Sequence, residues 1–193
     1  QFSLPPDSLP KLRHLTVQNT AWMSKLPDGL GSALQRLRRL EIRWAADVTE
    51  LPDGFTELQY LTSAEIHAPR LSSLADGIGA LSRLRQLNLE ECSSLTQLPA
   101  SLTWLSCLHE LNLSCTAIRS LPCQFGQLSR LKTLKLDGCE ELAALPEDFT
   151  QLKMLHSLSV KGCGEIVAKG VRDMYGLQVH TDSDQDPFSG LPY

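Results

Sequence analysis

No stretch of the 193 residues approaches the run of about eighteen apolar side chains that a membrane-crossing helix needs. The N-terminal QFSLPPDSLP also lacks the charged-then-apolar order of a secretory leader. A soluble, cytoplasmic chain is therefore expected. Cationic excess is missing too: 18 Lys and Arg stand against 22 Asp and Glu, for a net charge of −4 and a pI near 5.7. Binding nucleic acid mainly by phosphate neutralisation requires clustered positive charge, so neither nucleic acid nor a membrane surface is an expected partner. A disulfide framework is equally unsupported, because Cys92, Cys139 and Cys163 recur at one position of a repeat without the pairing neighbours that staple small folds. They are read as buried free thiols. The sequon Asn112-Leu113-Ser114 falls within an expected strand rather than a loop, which agrees with an intracellular location.

Catalytic groupings are absent in the same sense. Cys115 and His109 make the most tempting nucleophile and base, but six residues of extended chain separate them by roughly 20 Å, beyond hydrogen-bond reach. His109 and His156 share a column two units apart, about 10 Å, too far for an unaided metal site. Asp182, Asp184 and Asp186 alternate like part of a calcium loop, yet the required Gly and distal Glu are missing, and the segment reads as a solvated tail. No catalytic residue, metal ligand or cofactor is assigned, and the chain is read as a non-enzyme.

What the sequence does contain is a repeat. Leu-x-x-Leu-x-Leu registers begin at Leu12, Leu37, Leu61, Leu84, Leu108, Leu131 and Leu155, at spacings of 25, 24, 23, 24, 23 and 24. Alternation places two apolar side chains of each unit on one face of a short strand. The second half repeats as well, as LPDGL at Leu26, LPDGF at Leu51, LADGI at Leu74, LPASL at Leu98, LPCQF at Leu121 and LPEDF at Leu145. A Pro after the mid-unit Leu cannot donate to a ladder, so it suits the turn where the chain leaves the sheet. The remaining return is too short for a long helix, which predicts 3₁₀ or irregular turns with at most one helical turn. Stacked units then form an α/β solenoid, a horseshoe with a parallel concave sheet and a convex side of 3₁₀, short-helix and irregular segments. The residue after the strand, read as Thr20, Ala45, Pro69, Cys92, Thr116, Cys139 and Cys163, is expected to turn a small polar atom toward inward-facing backbone amides. With Ala64 for Leu and Ala75 for Pro, Thr62 to Ala75 is the expected loosest stretch.

The pattern LxxLxLxxCxxLxxLPxxF, clearest in LRQLNLEECSSLTQLPASL and LKTLKLDGCEELAALPEDF, resembles the leucine-rich repeats of plant intracellular immune receptors and Ras-group-related proteins. It is also similar to the repeat domains of bacterial type III effectors delivered into plant cells. The resemblance spans about residues 9 to 166 and implies recognition of another protein. No P-loop or kinase signature accompanies it. Residues 1–11 read as an N-terminal edge or partial cap, 12–166 as repeats, 167–180 as a C-terminal cap with an LQV strand, and 181–193 as a tail.

The expected function is non-catalytic protein recognition on the concave face, in plant defence or host–pathogen contact. Two alternatives stay open: a targeting domain of a larger effector enzyme such as a ubiquitin ligase, or a self-assembling scaffold forming a weak homo-oligomer. The partner-facing residues fall into three zones. Arg13, Arg38, Arg39, Glu41, Arg43 and Trp44 make a cationic end with one aromatic; Glu65, His67, Arg85, Asn88, Glu90, Glu110 and Asn112 make an acidic middle; Lys135, Asp137 and Lys161 return toward positive. Trp44 beside Arg38, Arg39 and Arg43 is the expected hot spot, against a plain alternative in which its ring packs on arginine stems.

Overall fold

The computed structural model describes residues 4–18, 27, 29–164 and 178–180. Each repeat contributes one strand: β1 His14–Gln18, β2 Arg39–Arg43, β3 Ser63–Ile66, β4 Gln86–Asn88, β5 Glu110–Asn112, β6 Thr133–Lys135 and β7 Ser157–Ser159. Gln178–His180, from the LQV segment, adds β8. The strands form one parallel sheet in chain order. Its register sets the second apolar residue of each unit opposite its counterpart, from Leu15 and Leu40 through Ala64, Leu87, Leu111 and Leu134 to Leu158 and Val179.

The chain returns on the convex side through α1 Leu30–Ala33 and through 3₁₀ turns at Asp53–Glu57, Ile78–Ala80, Ala100–Trp104, Phe125–Gln127 and Glu147–Gln151. Pro52, Pro99 and Pro146, each at φ −66, precede three of these turns, where a preset φ and a missing N–H carry no cost. Buried Phe55, Ile78, Leu102, Phe125 and Phe149 line the inside of the turns, with the last two rings stacked at 6.2 Å. The buried leucines from Leu30 to Leu158 belong to one continuous core. Each fully buried leucine removes enough apolar surface to be worth roughly 1.5 to 3 kcal/mol, and only the neighbouring units supply the cover.

Where each strand ends, the structure corrects the sequence reading in two respects. The small-residue column is Ala45, Ala68, Cys92, Thr116, Cys139 and Cys163, all buried, while Pro69 is exposed. The third unit is one residue short at this turn, so Ala68 moves into the column. The polar atoms also meet carbonyls rather than amides. The thiols of Cys92, Cys139 and Cys163 donate to the carbonyls of Ile66, Leu113 and Leu136 in the preceding unit at 3.3, 3.1 and 3.0 Å. An S–H group is a donor, and this donation satisfies a strand-end acceptor that the sheet leaves over. Burial pushes the Cys92 thiol up to about 11 and raises Cys139 as well.

The eighth residue of a unit, just before that column, lies in the left-handed region: Trp44 at φ 58, Glu91 at 63, Cys115 at 57, Gly138 at 69 and Gly162 at 70. The third unit has no such residue, because this is the position it lacks. Its strand β3 nonetheless pairs on both sides, and Ala64 is enclosed.

Candidate binding surface

Three side chains of each longer strand face the concave side, and their identities decide the chemistry there. At β2 and β3 these are Arg39, Glu41 and Arg43, then Ser63 and Glu65, with His67 just beyond. They form one network. Arg39 Nε lies 2.5 Å from Glu41 Oε1, and Arg43 Nη2 lies 3.2 Å from Glu41 and 3.1 Å from Glu65. His67 Nε2 is 3.3 Å from the same Glu65 carboxylate, and Arg39 Nη2 reaches Glu65 at 3.8 Å. The hydrogen bond from Arg39 is the main reason the Glu41 carboxyl is held below its ordinary range. The sequence reading of a cationic end therefore changes: on the concave face the two arginines are already matched by Glu41 and Glu65, a carboxylate from the acidic zone.

Trp44 follows directly. The residue is 71% exposed, so its side chain does not fold away against arginine stems. A groove of about 500 Å³ opens beside it, lined with Trp44 by Arg43, Ala46, Glu65, His67, Pro69, Glu90 and Glu91. Two of its side chains, Trp44 and Glu91, sit on the left-handed eighth residue that glycine fills in the sixth and seventh units. Non-glycine residues there cost roughly 1 to 2 kcal/mol in backbone strain. Comparing units column by column singles out both residues; reading each motif separately does not.

The other assigned residues divide between this face and an edge. Asn88 and Asn112 lie on the concave face, where each side-chain oxygen accepts from the N–H two residues on, at 3.0 Å. Asn112 Nδ2 also donates to Glu90 at 3.1 Å, so the sequon amide is engaged within the sheet. Asp137 accepts from Ser159 Oγ at 2.6 Å and from the Lys161 N–H at 2.8 Å. Lys135 and Glu110 flank a shallow depression of about 150 Å³ over β4 to β6. Arg13, Arg38 and Arg85 stand apart: each precedes its strand and lies on the edge where the strands begin. His109 Nδ1 is 2.6 Å from the Cys107 carbonyl, which occupies the ring nitrogen on that side. Among the described residues no group of three or more His, Cys, Asp or Glu side chains is placed to hold a metal. Among them, too, no helix is long and apolar enough to cross a membrane.

A family profile described as leucine-rich repeat region matches residues 71–181, more than half of the chain. The chain belongs to the leucine-rich-repeat family. A comparison with curated protein sequences gives no match. Among solved structures, a leucine-rich-repeat protein of Leptospira interrogans superposes with a TM-score of 0.71 at 19% identity, covering 94% of this chain and 52% of that one. The leucine-rich-repeat domain of the type III effector XopL gives 0.61 at 22% identity, over 90% of this chain and 77% of that one. A plant peptide hormone receptor, RGFR1 in complex with RGF2, gives 0.59 at 16% identity over 90% of this chain and 34% of that one. The chain thus spans about half the length of the Leptospira protein. These likenesses show the leucine-rich-repeat solenoid fold.

Proposed function

We propose that this leucine-rich-repeat chain is a non-catalytic protein-recognition module whose concave face and adjoining groove receive another protein, with Trp44 as the anchor. The observation that carries the reading is a large aromatic, 71% exposed, kept at a left-handed backbone position. Exposure and strain both oppose that choice in an isolated fold, and a desolvating partner would offset them. The network of Arg39, Glu41, Arg43, Glu65 and His67 holds the groove wall in place, so a partner meets preset donors and acceptors. The setting we favour is the cytoplasm of a plant or infected host cell, in defence or as an effector. The type III effector and the plant receptor among its structural relatives support the plant and host-contact part of that reading. The cytoplasmic part draws its support from six cysteines that are all free, as a reducing compartment would keep them.

Trp44→Gly tests the reading without disturbing the fold, since glycine suits a φ of 58. Immobilised wild-type and variant chains are exposed to plant-cell extract, which serves both the defence and the effector setting, and retained proteins are quantified by mass spectrometry. We expect a specific protein on the wild type to fall at least tenfold on the variant, while the melting temperature is unchanged or higher. Equal retention on both would remove the groove from the binding site.

A further inference from the structure

The net charge hides a segregation that the coil makes spatial. Take from each unit the two residues before its first leucine, that leucine, and the residue after it: residues 10–13, 35–38, 59–62, 82–85, 106–109, 129–132 and 153–156. These segments hold nine of the 18 lysines and arginines and no Asp or Glu, so the remainder carries 9 − 22 = −13. Stacking brings all nine to one rim, where the strands begin. There the carbonyls of Arg13, Arg38, Thr62, Arg85, His109 and Lys132 each accept two N–H groups from the next unit, at 2.7 to 3.2 Å, and this fixes the rungs. Eight of the nine cations are exposed and Lys132 is half-buried. Among the described residues none of them is ion-paired; the pairs there use Arg39, Arg43, His67, Arg70 and Arg119.

From the second unit to the seventh the rim alternates. Arg36 and Arg38 are followed by Tyr60, then Arg83 and Arg85 by Cys107, then Arg130 and Lys132 by Met154. Tyr60 and Met154 are 45% and 50% exposed. The Arg83 guanidinium lies 4.6 Å over the Tyr60 ring, which holds its plane and leaves edge N–H groups free for a carboxylate. A depression of about 400 Å³ between Arg38, Tyr60, Arg83, Arg85 and Cys107 gives an apolar side chain room between two cation pairs. Adjacent rungs are about 4.8 Å apart, so cation pairs recur every ~10 Å, close to one three-residue turn of extended polyproline II chain, which sets every third side chain on one face.

We propose that this rim docks an extended acidic segment of a protein, carrying a carboxylate at every third residue with apolar side chains between. A polynucleotide fits less well, because a phosphate at every nucleotide sets charge over Cys107 and Met154, which carry none, as often as over the cation pairs. This site is distinct from the Trp44 groove.

The probe is a fluorescein-labelled peptide repeating Glu-Leu-Ser four times, followed by anisotropy against the full chain at low salt. Its controls are the Gln-Leu-Ser counterpart and a single-stranded oligothymidylate. Arg83→Glu with Arg85→Glu is compared with Arg70→Glu with Arg119→Glu, which makes the same charge change away from the rim. We expect binding of the acidic peptide, at least tenfold weaker in the rim variant and in about 0.3 M salt, and unchanged in the other variant and in Trp44→Gly. The proposal is overturned by no binding, by equal loss in both charge variants, or by the Gln peptide or oligothymidylate binding as tightly.

Discussion

At the scale of single residues, one backbone position shows how far a side chain can depart from what its conformation prefers. Gly138 and Gly162 occupy the left-handed eighth position without cost, whereas Glu91 and Cys115 do not. Replacing Glu91 with glycine removes the strain and loosens the unfolded chain, for a net gain of about 0.5 to 1 kcal/mol. Its N–H to the Ser114 carbonyl, at 2.9 Å, is kept. A melting transition about 2 °C higher is the expected outcome, and a lower one would mean that the carboxylate stabilises the groove. This position was invisible motif by motif, because no sequence signal marks a positive φ occupied by Trp, Glu and Cys. It emerges only once the units are stacked. The exposure of Trp44 was likewise open until its neighbours were placed, since a strand-end ring folds inward or outward according to what its flanking units leave room for.

At the scale of the repeat, the leucine register specified almost everything about each strand. Two apolar residues separated by one polar residue dictate which face is inward, and a one-residue slip would expose every leucine. What escaped was the place of the missing residue in the short units. Spacings of 23 show that the third and fifth units lack one residue each, but only burial shows where. In the third the loss precedes Ala68; in the fifth it falls between Thr116 and Ile118. The convex turns pack closely in a way that composition does not announce. A Cβ at Gly79 would collide with the Ser101 carbonyl and approach Trp104 Cβ at 2.9 Å, and both are held by their own turn. Gly79→Ala should therefore cost about 1 to 3 kcal/mol, read from urea unfolding, despite alanine's usual advantage in a turn of helix. An unchanged midpoint would show that neighbouring turns slide apart freely.

For the whole molecule, a net charge of −4 argues against a surface that binds nucleic acid mainly by phosphate neutralisation. The total conceals a distribution, because a repeat places equivalent residues in a line, and a mild bias at one position becomes a stripe. The three charge zones drawn from sequence combined this stripe with the concave columns: Arg13, Arg38 and Arg85 belong to the stripe, Arg39 and Arg43 to the columns. A chain with a pI near 5.7 should then be retained on a cation exchanger at pH 7 and low salt, where the rim alone meets the matrix. Arg83→Glu with Arg85→Glu should flow through. Passage of the wild type without retardation would show that the carboxylates elsewhere screen the rim.

The paired donations to each strand-start carbonyl also set which parts of the molecule can change in length. That side has a fixed stride, since an extra or missing residue would break two bonds in every neighbouring rung. On the opposite side each carbonyl takes a single backbone N–H across units, as from Glu91 to Ser114 and from Cys115 to Asp137, beside the thiol contacts and a kink, and both omissions in this chain occur beyond those bonds. Loops on that flank can therefore lengthen or shrink and remodel the outline around Trp44, while the other flank keeps its spacing like the teeth of a rack.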